Sequence, residues 1–286
     1  VKAQFDQKLV SSFYLWFENK LLDDSISAYQ TGVANTYQYI DAFDVPSNFY
    51  AYQGQYRQLV AEYDVSVPNS GVFLGQTFVS GGTPNVYTDY NNGRVIVPSS
   101  SGKSLNVTSI STVKEVNTYL TSDSPEQILL ESDFVIDGES IPKASKSTKK
   151  LDEKSYWLPA CFVFPSSSEN KEFALGGEEN TQNRIRVMVL AKDNFTIDAV
   201  LSAFRDSSRS CVPLIDFEDF PYGAFFSVKN YPYRYAVLAA QSTEKSFIEN
   251  VQASRIGKTS EKEKTDKKFQ IGFLDFDIST YRFPRV

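Results

Sequence analysis

Between Val60 and Leu120 the chain breaks into short β-branched or aromatic runs that end at Gly, Pro, Asn or Ser: VAEYDVSVP, GVFLGQTFV, NVYTDY, RVIVP, SLNVTSI and VKEVNTYL. Segments this short and this densely punctuated predict strands of a compact antiparallel meander, sandwich or small barrel. The sharpest punctuation lies in TDYNNGRVIV, Thr88 to Val97. Asn-Gly tolerates positive φ at both central positions of a type I′ turn, so Asn92-Gly93 predicts a tight hairpin. Arg94 then lies across the turn, within reach of Asp89 or Asn91.

Before this region the pattern is helical. Phe5, Leu9, Phe13, Trp16, Phe17 and Leu21 recur at three- and four-residue steps and form one apolar stripe. Asp23-Asp24 supplies a break and a cap for a shorter helix through Ser25–Tyr29. Residues 33–60 are rich in Tyr, Gln and Asn and show no regular period, which reads as an extended arm. After the short runs, Ser124-Pro125 followed by Gln127 fits a capping box with Pro at the first helical position. Further on, TIDAVLSAF places Ile197, Val200, Leu201 and Phe204 on one helical face, with Thr196 as the cap. YWLPACFVF, RIRVMVLA, AFFSVKNYPYRYAVLAA, KSFIENVQASRI and FQIGFLDFDISTYRFPRV read as strands, the last alternating Leu274, Phe276 and Ile278 against Phe273, Asp275 and Asp277. Lys-rich stretches at 143–154 and 257–268 read as exposed loops. The fold class expected is α+β, mainly antiparallel β. Its parts are a helical segment and arm over 1–60, a small β domain over 61–132 and a larger α+β domain over 133–286.

Composition narrows the chemistry. There is no histidine, which excludes Ser-His-Asp and Cys-His nucleophilic catalysis and any His-ligated metal. The two cysteines, Cys161 and Cys211, lack a CxxC spacing, and Cys161 reads as a small buried thiol. A net charge of −6 argues against nucleic-acid binding over the whole surface. No stretch approaches 18 uncharged apolar residues, so no helical membrane span is expected. Lys2, Asp6, Lys8, Glu18 and Lys20 interrupt any secretory leader in the first 22 residues. Carboxylate pairs remain as candidate chemistry: Asp275 with Asp277, and Asp216 with Glu218 and Asp219. None sits in a distinctive motif, and Gly176-Gly177 lacks the residues of a phosphate loop. The reading is therefore non-enzymatic, with no cofactor and no metal. The 22 Phe and 17 Tyr fit a β-rich core or a surface that packs against other subunits. Phe13, Trp16, Phe17, Tyr50, Tyr52, Tyr56 and Arg94 are the candidates for such a surface.

Three stretches, YDVSVPNSGVFLGQTFV with TDYNNGRVIV, NRIRVMVLAKDNFTIDAVLSAF, and FQIGFLDFDISTYRFPRV, resemble segments of virion structural proteins from large tailed bacteriophages of the T4-like type. The resemblance implies assembly in the virion, in the host cytoplasm, as a ring in the neck or head-to-tail connector. Its partners would be further copies of the chain and connector, tail or portal-proximal proteins, with DNA contact at most indirect. A tail, baseplate or receptor- and glycan-binding fibre-associated protein is the alternative, with Tyr50, Tyr52 and Tyr56 as its candidate aromatics. A carboxylate-dependent hydrolase working through Asp275 and Asp277 is the third reading.

Overall fold

The structure is a computed structural model that describes residues 4–23, 26–42, 44–55, 58–66, 71–80, 83–136, 139–141, 155–173, 177–229, 232–256 and 269–283. The Lys-rich stretches at 143–154 and 257–268, and Tyr56, lie outside the described residues.

The elements run α1 (Phe5–Leu22), β1 (Tyr29–Ile40), β2 (Phe49–Gln53), α2 (Tyr63–Ser66), β3 (Gly71–Leu74), β4 (Thr77–Ser80), β5 (Tyr87–Asp89), β6 (Arg94–Pro98), β7 (Val107–Lys114) and β8 (Asn117–Leu120). They continue with α3 (Pro125–Glu131), β9 (Asp133–Ile136), β10 (Glu139–Ile141), β11 (Ser155–Trp157), β12 (Ala160–Glu172), β13 (Glu179–Ala191), α4 (Asn194–Arg205), β14 (Cys211–Pro213), α5 (Tyr235–Gln241), β15 (Lys245–Arg255) and β16 (Gln270–Arg282). The fold is α+β and mainly antiparallel β, as the sequence predicts.

Contacts divide the chain into two units that are discontinuous in sequence. Unit 1 comprises Val1–Glu18, Val116–Phe217 and Ala239–Val286, and unit 2 comprises Asn19–Glu115 and Glu218–Leu238. The consecutive divisions expected at 60 and 132 are not where these units part. The arm expected over 33–60 is paired into the same sheet as the short runs that follow it, and β8 belongs to the other unit's sheet.

In unit 1 a six-stranded sheet is ordered β14-β15-β16-β13-β12-β8. Its alternation buries Leu274, Phe276 and Ile278 on one face. Phe13, Trp16 and Phe17 of α1 and Phe204 of α4 close on Phe276: Phe17 stacks on Phe204 at 4.0 Å, and Phe13 meets Phe276 edge-on at 4.9 Å. Gly272 allows α4 to approach, because a Cβ there would lie 2.9 Å from Ile197 and 3.2 Å from Leu201. On the opposite face Phe162, Met188 and Leu190 pack with Tyr119, Ile128 of α3, Phe134 and Phe269. A three-stranded sheet, β10-β9-β11, contributes Phe134 and Ile136 to this second core.

Unit 2 is built on a seven-stranded sheet ordered β4-β3-β7-β1-β2-β6-β5. Tyr37, Tyr52, Val72, Val95, Val97 and Val107 make its core. The sheet curls far enough that residues of β3 and β4 on one edge and β5 on the other line one cleft.

Several local expectations change. Residues 33–60 hold most of β1 and all of β2. Their period was hidden because the inward positions of β1 include Asn35 and Tyr37, polar groups that find partners inside the fold: Tyr37 bonds the Ser109 hydroxyl at 2.9 Å, and the Gln55 backbone N–H donates to Asn35 at 3.3 Å. VAEYDVSVP is not a strand where described; Tyr63–Ser66 forms one helical turn. Tyr29 opens β1 instead of closing a helix. The capping box at Ser124 is present, with the Gln127 N–H donating to the serine hydroxyl at 3.3 Å and the Ser124 N–H to Gln127 at 2.9 Å. In α4 the cap is Asp193, not Thr196; its carboxylate accepts the Thr196 N–H at 2.8 Å and the Thr196 hydroxyl at 3.0 Å. A charged acceptor is the stronger partner for helical N–H donors and for the helix dipole. Part of the strand expected in AFFSVKNYPYRYAVLAA is helix α5, where Glu62 accepts the Tyr235 N–H at 2.8 Å.

Candidate functional site

The hairpin is the most tightly organised polar feature of unit 2. Asp89 and Arg94 are opposed across β5 and β6, leaving Tyr90 to Gly93 as the loop. Of these loop residues, all described, Gly93 takes the positive φ, at 60°. The predicted type I′ turn is therefore replaced by a longer loop. The cause is Asp89, whose carboxylate accepts the Asn92 N–H and the Asn92 side-chain amide, each at 2.9 Å, and holds the loop as a cap holds the start of a helix. The same carboxylate accepts from Arg94 Nε at 3.0 Å and Nη2 at 2.7 Å. The other edge of the guanidinium forks onto Asp44, at 3.0 and 2.7 Å. Gln58 binds Asn91 at 2.8 Å and Gln53 binds the Asn92 carbonyl at 2.8 Å, extending the network.

Asp89 is 1% exposed and Arg94 7%, so the expected meeting of these two is present and it is internal. The hydrogen bonds from Arg94 hold the Asp44 carboxyl below its usual range. As an intersubunit contact Arg94 is a poor candidate, because its donors are already committed within unit 2. Phe13, Trp16 and Phe17 are likewise buried, in the aromatic core of unit 1. Tyr52 is fully buried and donates its hydroxyl to the Gly102 carbonyl at 2.6 Å. Tyr50 is half-buried against Tyr39, and Tyr56 is outside the described residues.

The candidate catalytic carboxylates are also engaged. Arg186 forks onto Asp275 at 2.6 and 3.0 Å, and Arg184 holds Asp277 at 2.7 Å. These are direct cross-strand pairs, Arg186 opposite Asp275 and Arg184 opposite Asp277. Both carboxylates are thus already engaged within the sheet as members of cross-strand ion pairs. Asp216 pairs with Lys8 at 2.7 Å. Cys161 is buried, and burial pushes its thiol pKa up, away from reactivity. Cys211 is exposed and not bonded to it.

What remains open is backbone edge. In unit 1, β8 covers β12 only along Ala160–Val163, and every residue from Pro165 to Glu172 is exposed. On the far side of the same sheet, β14 covers β15 only at Lys245–Phe247. Beyond Ile248, which bonds Arg209 and Ser210, the outer edge of β15 has no partner strand among the described residues. An open groove of about 600 Å³ runs beside that edge, lined by Phe195, Asp198, Ala199, Ser202 and Arg205 of α4 and by Ala253 to Arg255. The second opening is the unit 2 cleft between the sheet edges, about 280 Å³, with Ser80, Thr83, Tyr87, Tyr90 and Lys229 in its wall. Sequence reasoning missed both. A strand run shows its own pattern but not which of its edges finds a partner.

Among known proteins, the chain matches no protein-family model and no curated protein.

Proposed function

We propose that the chain is a non-enzymatic structural component of a tailed-phage virion, a neck or head-to-tail connector protein that assembles as a ring. The virion assignment rests on the resemblance of the three stretches given above. The observation that carries the assembly reading is the pair of strand edges, on opposite sides of the unit 1 sheet, that have no partner strand among the described residues. Open edges are templates for pairing with another chain, and on β12 the stretch past the Pro165/Ser167 bulge is the one that remains extended. The arginine locks on Asp275 and Asp277 support the non-enzymatic part. Its partners would be further copies and other connector, tail or portal-proximal proteins of the particle, with DNA contact at most indirect.

Native mass spectrometry and electron microscopy of the purified chain test this reading, with closed rings as the expected result. A protein that stays monomeric and never enters a particle rules it out.

The unit 2 cleft favours one second reading, a receptor- or glycan-binding virion protein. Tyr87, Tyr90, Ser80, Thr83 and Lys229 line the cleft, a mix of aromatic and hydroxyl-bearing side chains suited to sugars. Glycan-array binding that is lost in Tyr87→Ala would move the assignment there.

A further inference from the structure

Within unit 1 the covered and uncovered edge segments lie on opposite diagonals of the sheet. On one side, β8 covers the part of β12 at the level of Leu274, through Val163↔Val187↔Leu274. The open part then runs from the level of Phe276, through Pro165↔Ile185, to that of Arg282, through Glu172↔Glu179. On the other side the order reverses. The stretch of β15 that β14 covers ends at Phe247, beside Ser279, and the open part runs from Asn250, beside Asp277, to Arg255, beside Gly272. Each edge is thus blocked at the end where the other is free. Two copies slid along the strand direction bring an open segment against an open segment and keep β8 and β14 clear of each other.

We infer that the Pro165–Glu172 edge of one copy adds to the open edge of β15 in the next, beside α4, so that the sheet continues from subunit to subunit. This rests on the ring-forming reading above and names its joint. Strand direction fits. β12 to β13, β13 to β16 and β16 to β15 are each antiparallel, so β15 runs against β12. A neighbour in the same orientation therefore presents an antiparallel strand.

A joint between unlike edges is head-to-tail, and it closes into a ring when the rotation per copy divides a full turn.

The test places cysteines on both edges of the full chain, Glu172→Cys and Ala253→Cys, in a Cys211→Ser background and with a short bismaleimide crosslinker. The double variant is expected to give a ladder of dimers, trimers and higher species. A mixture of the two single variants should give crosslinked dimers, and each single variant alone should give none. Self-crosslinking of a single variant would mean a two-fold joint and overturn the inference. Wild-type rings by native mass spectrometry, with a double variant that crosslinks no better than the singles, would overturn the joint and leave the ring reading standing. A wild-type chain that stays monomeric, with no ladder from the double variant, would overturn both.

Discussion

The two units build their interiors from different materials. Beneath α1 and α4 in unit 1, Phe13, Trp16, Phe17, Phe204 and Phe276 form an apolar cluster, with ring centroids 4.0 to 6.4 Å apart. Unit 2 places charge and hydroxyls inside: Arg94 between Asp89 and Asp44, and Tyr37 bonded to Ser109, which is bonded to Ser111. An apolar cluster gains free energy in proportion to buried area and has no charge for salt to screen. A buried ionic network gains little net stability, yet becomes costly when one partner is removed. The first fixes volume and the second fixes geometry, here the path of one hairpin.

The largest effect that tests this contrast is expected from Phe276→Ala. Removing the ring from the centre of the cluster should cost about 4 kcal/mol in urea unfolding. Amide exchange should rise in β13, β15, β16 and α4, while β1, β2 and β7 keep their protection. A comparable rise in unit 2 would show that the two cores do not behave separately. Next comes Arg94→Ala, which leaves Asp89 buried without its cation and should cost about 3 kcal/mol. Pairing Arg94→Met with Asp89→Asn should recover much of that loss, because no uncompensated charge remains. If the double substitution were no milder than the single, the buried charge would not be the source of the cost.

Acid sharpens the comparison further. The folded-state pKa of Asp44 is depressed below its usual 3.8, chiefly by the hydrogen bonds from Arg94. Its contribution is therefore fully present above the unfolded value and is lost as pH falls through the folded one. Unit 2 should lose protection as pH drops below about 4, and Asp44→Asn should flatten that part of the profile. An unchanged acid profile in Asp44→Asn would remove the pair from the account. The smallest effect is expected at a cross-strand pair on the α3 side of the unit 1 sheet. There Arg186→Ala should cost about 0.5 kcal/mol and less at high salt, since the pair with Asp275 is partly exposed.

Much of this was legible before the fold. Local rules suffice for α1, the Ser124 capping box, the buried face of α4 and the alternation of β16, because a few neighbouring residues decide each of them. They failed at β1, whose inward Asn35 and Tyr37 look polar until Gln55 and Ser109 arrive from elsewhere. They also failed at the aromatic interface proposed for Phe13, Trp16 and Phe17. A helix stripe shows that something covers it, and cannot say whether the cover is Phe276 of the same chain or another subunit.

By itself, the sequence determined that this is a β-rich α+β chain without histidine chemistry, with a hairpin at Asn92-Gly93 that brings Arg94 within reach of Asp89 or Asn91. The turn's geometry is set locally too, by an Asp89 carboxylate that holds Asn92 and Arg94 together, and tertiary structure decided what surrounds it. It also decided that Asp275 and Asp277 face arginines, and that β12 and β15 are only partly covered by partner strands among the described residues. Each of those outcomes depends on which strand lies alongside, and strand neighbours are chosen by long-range packing, not by the residues of the strand alone.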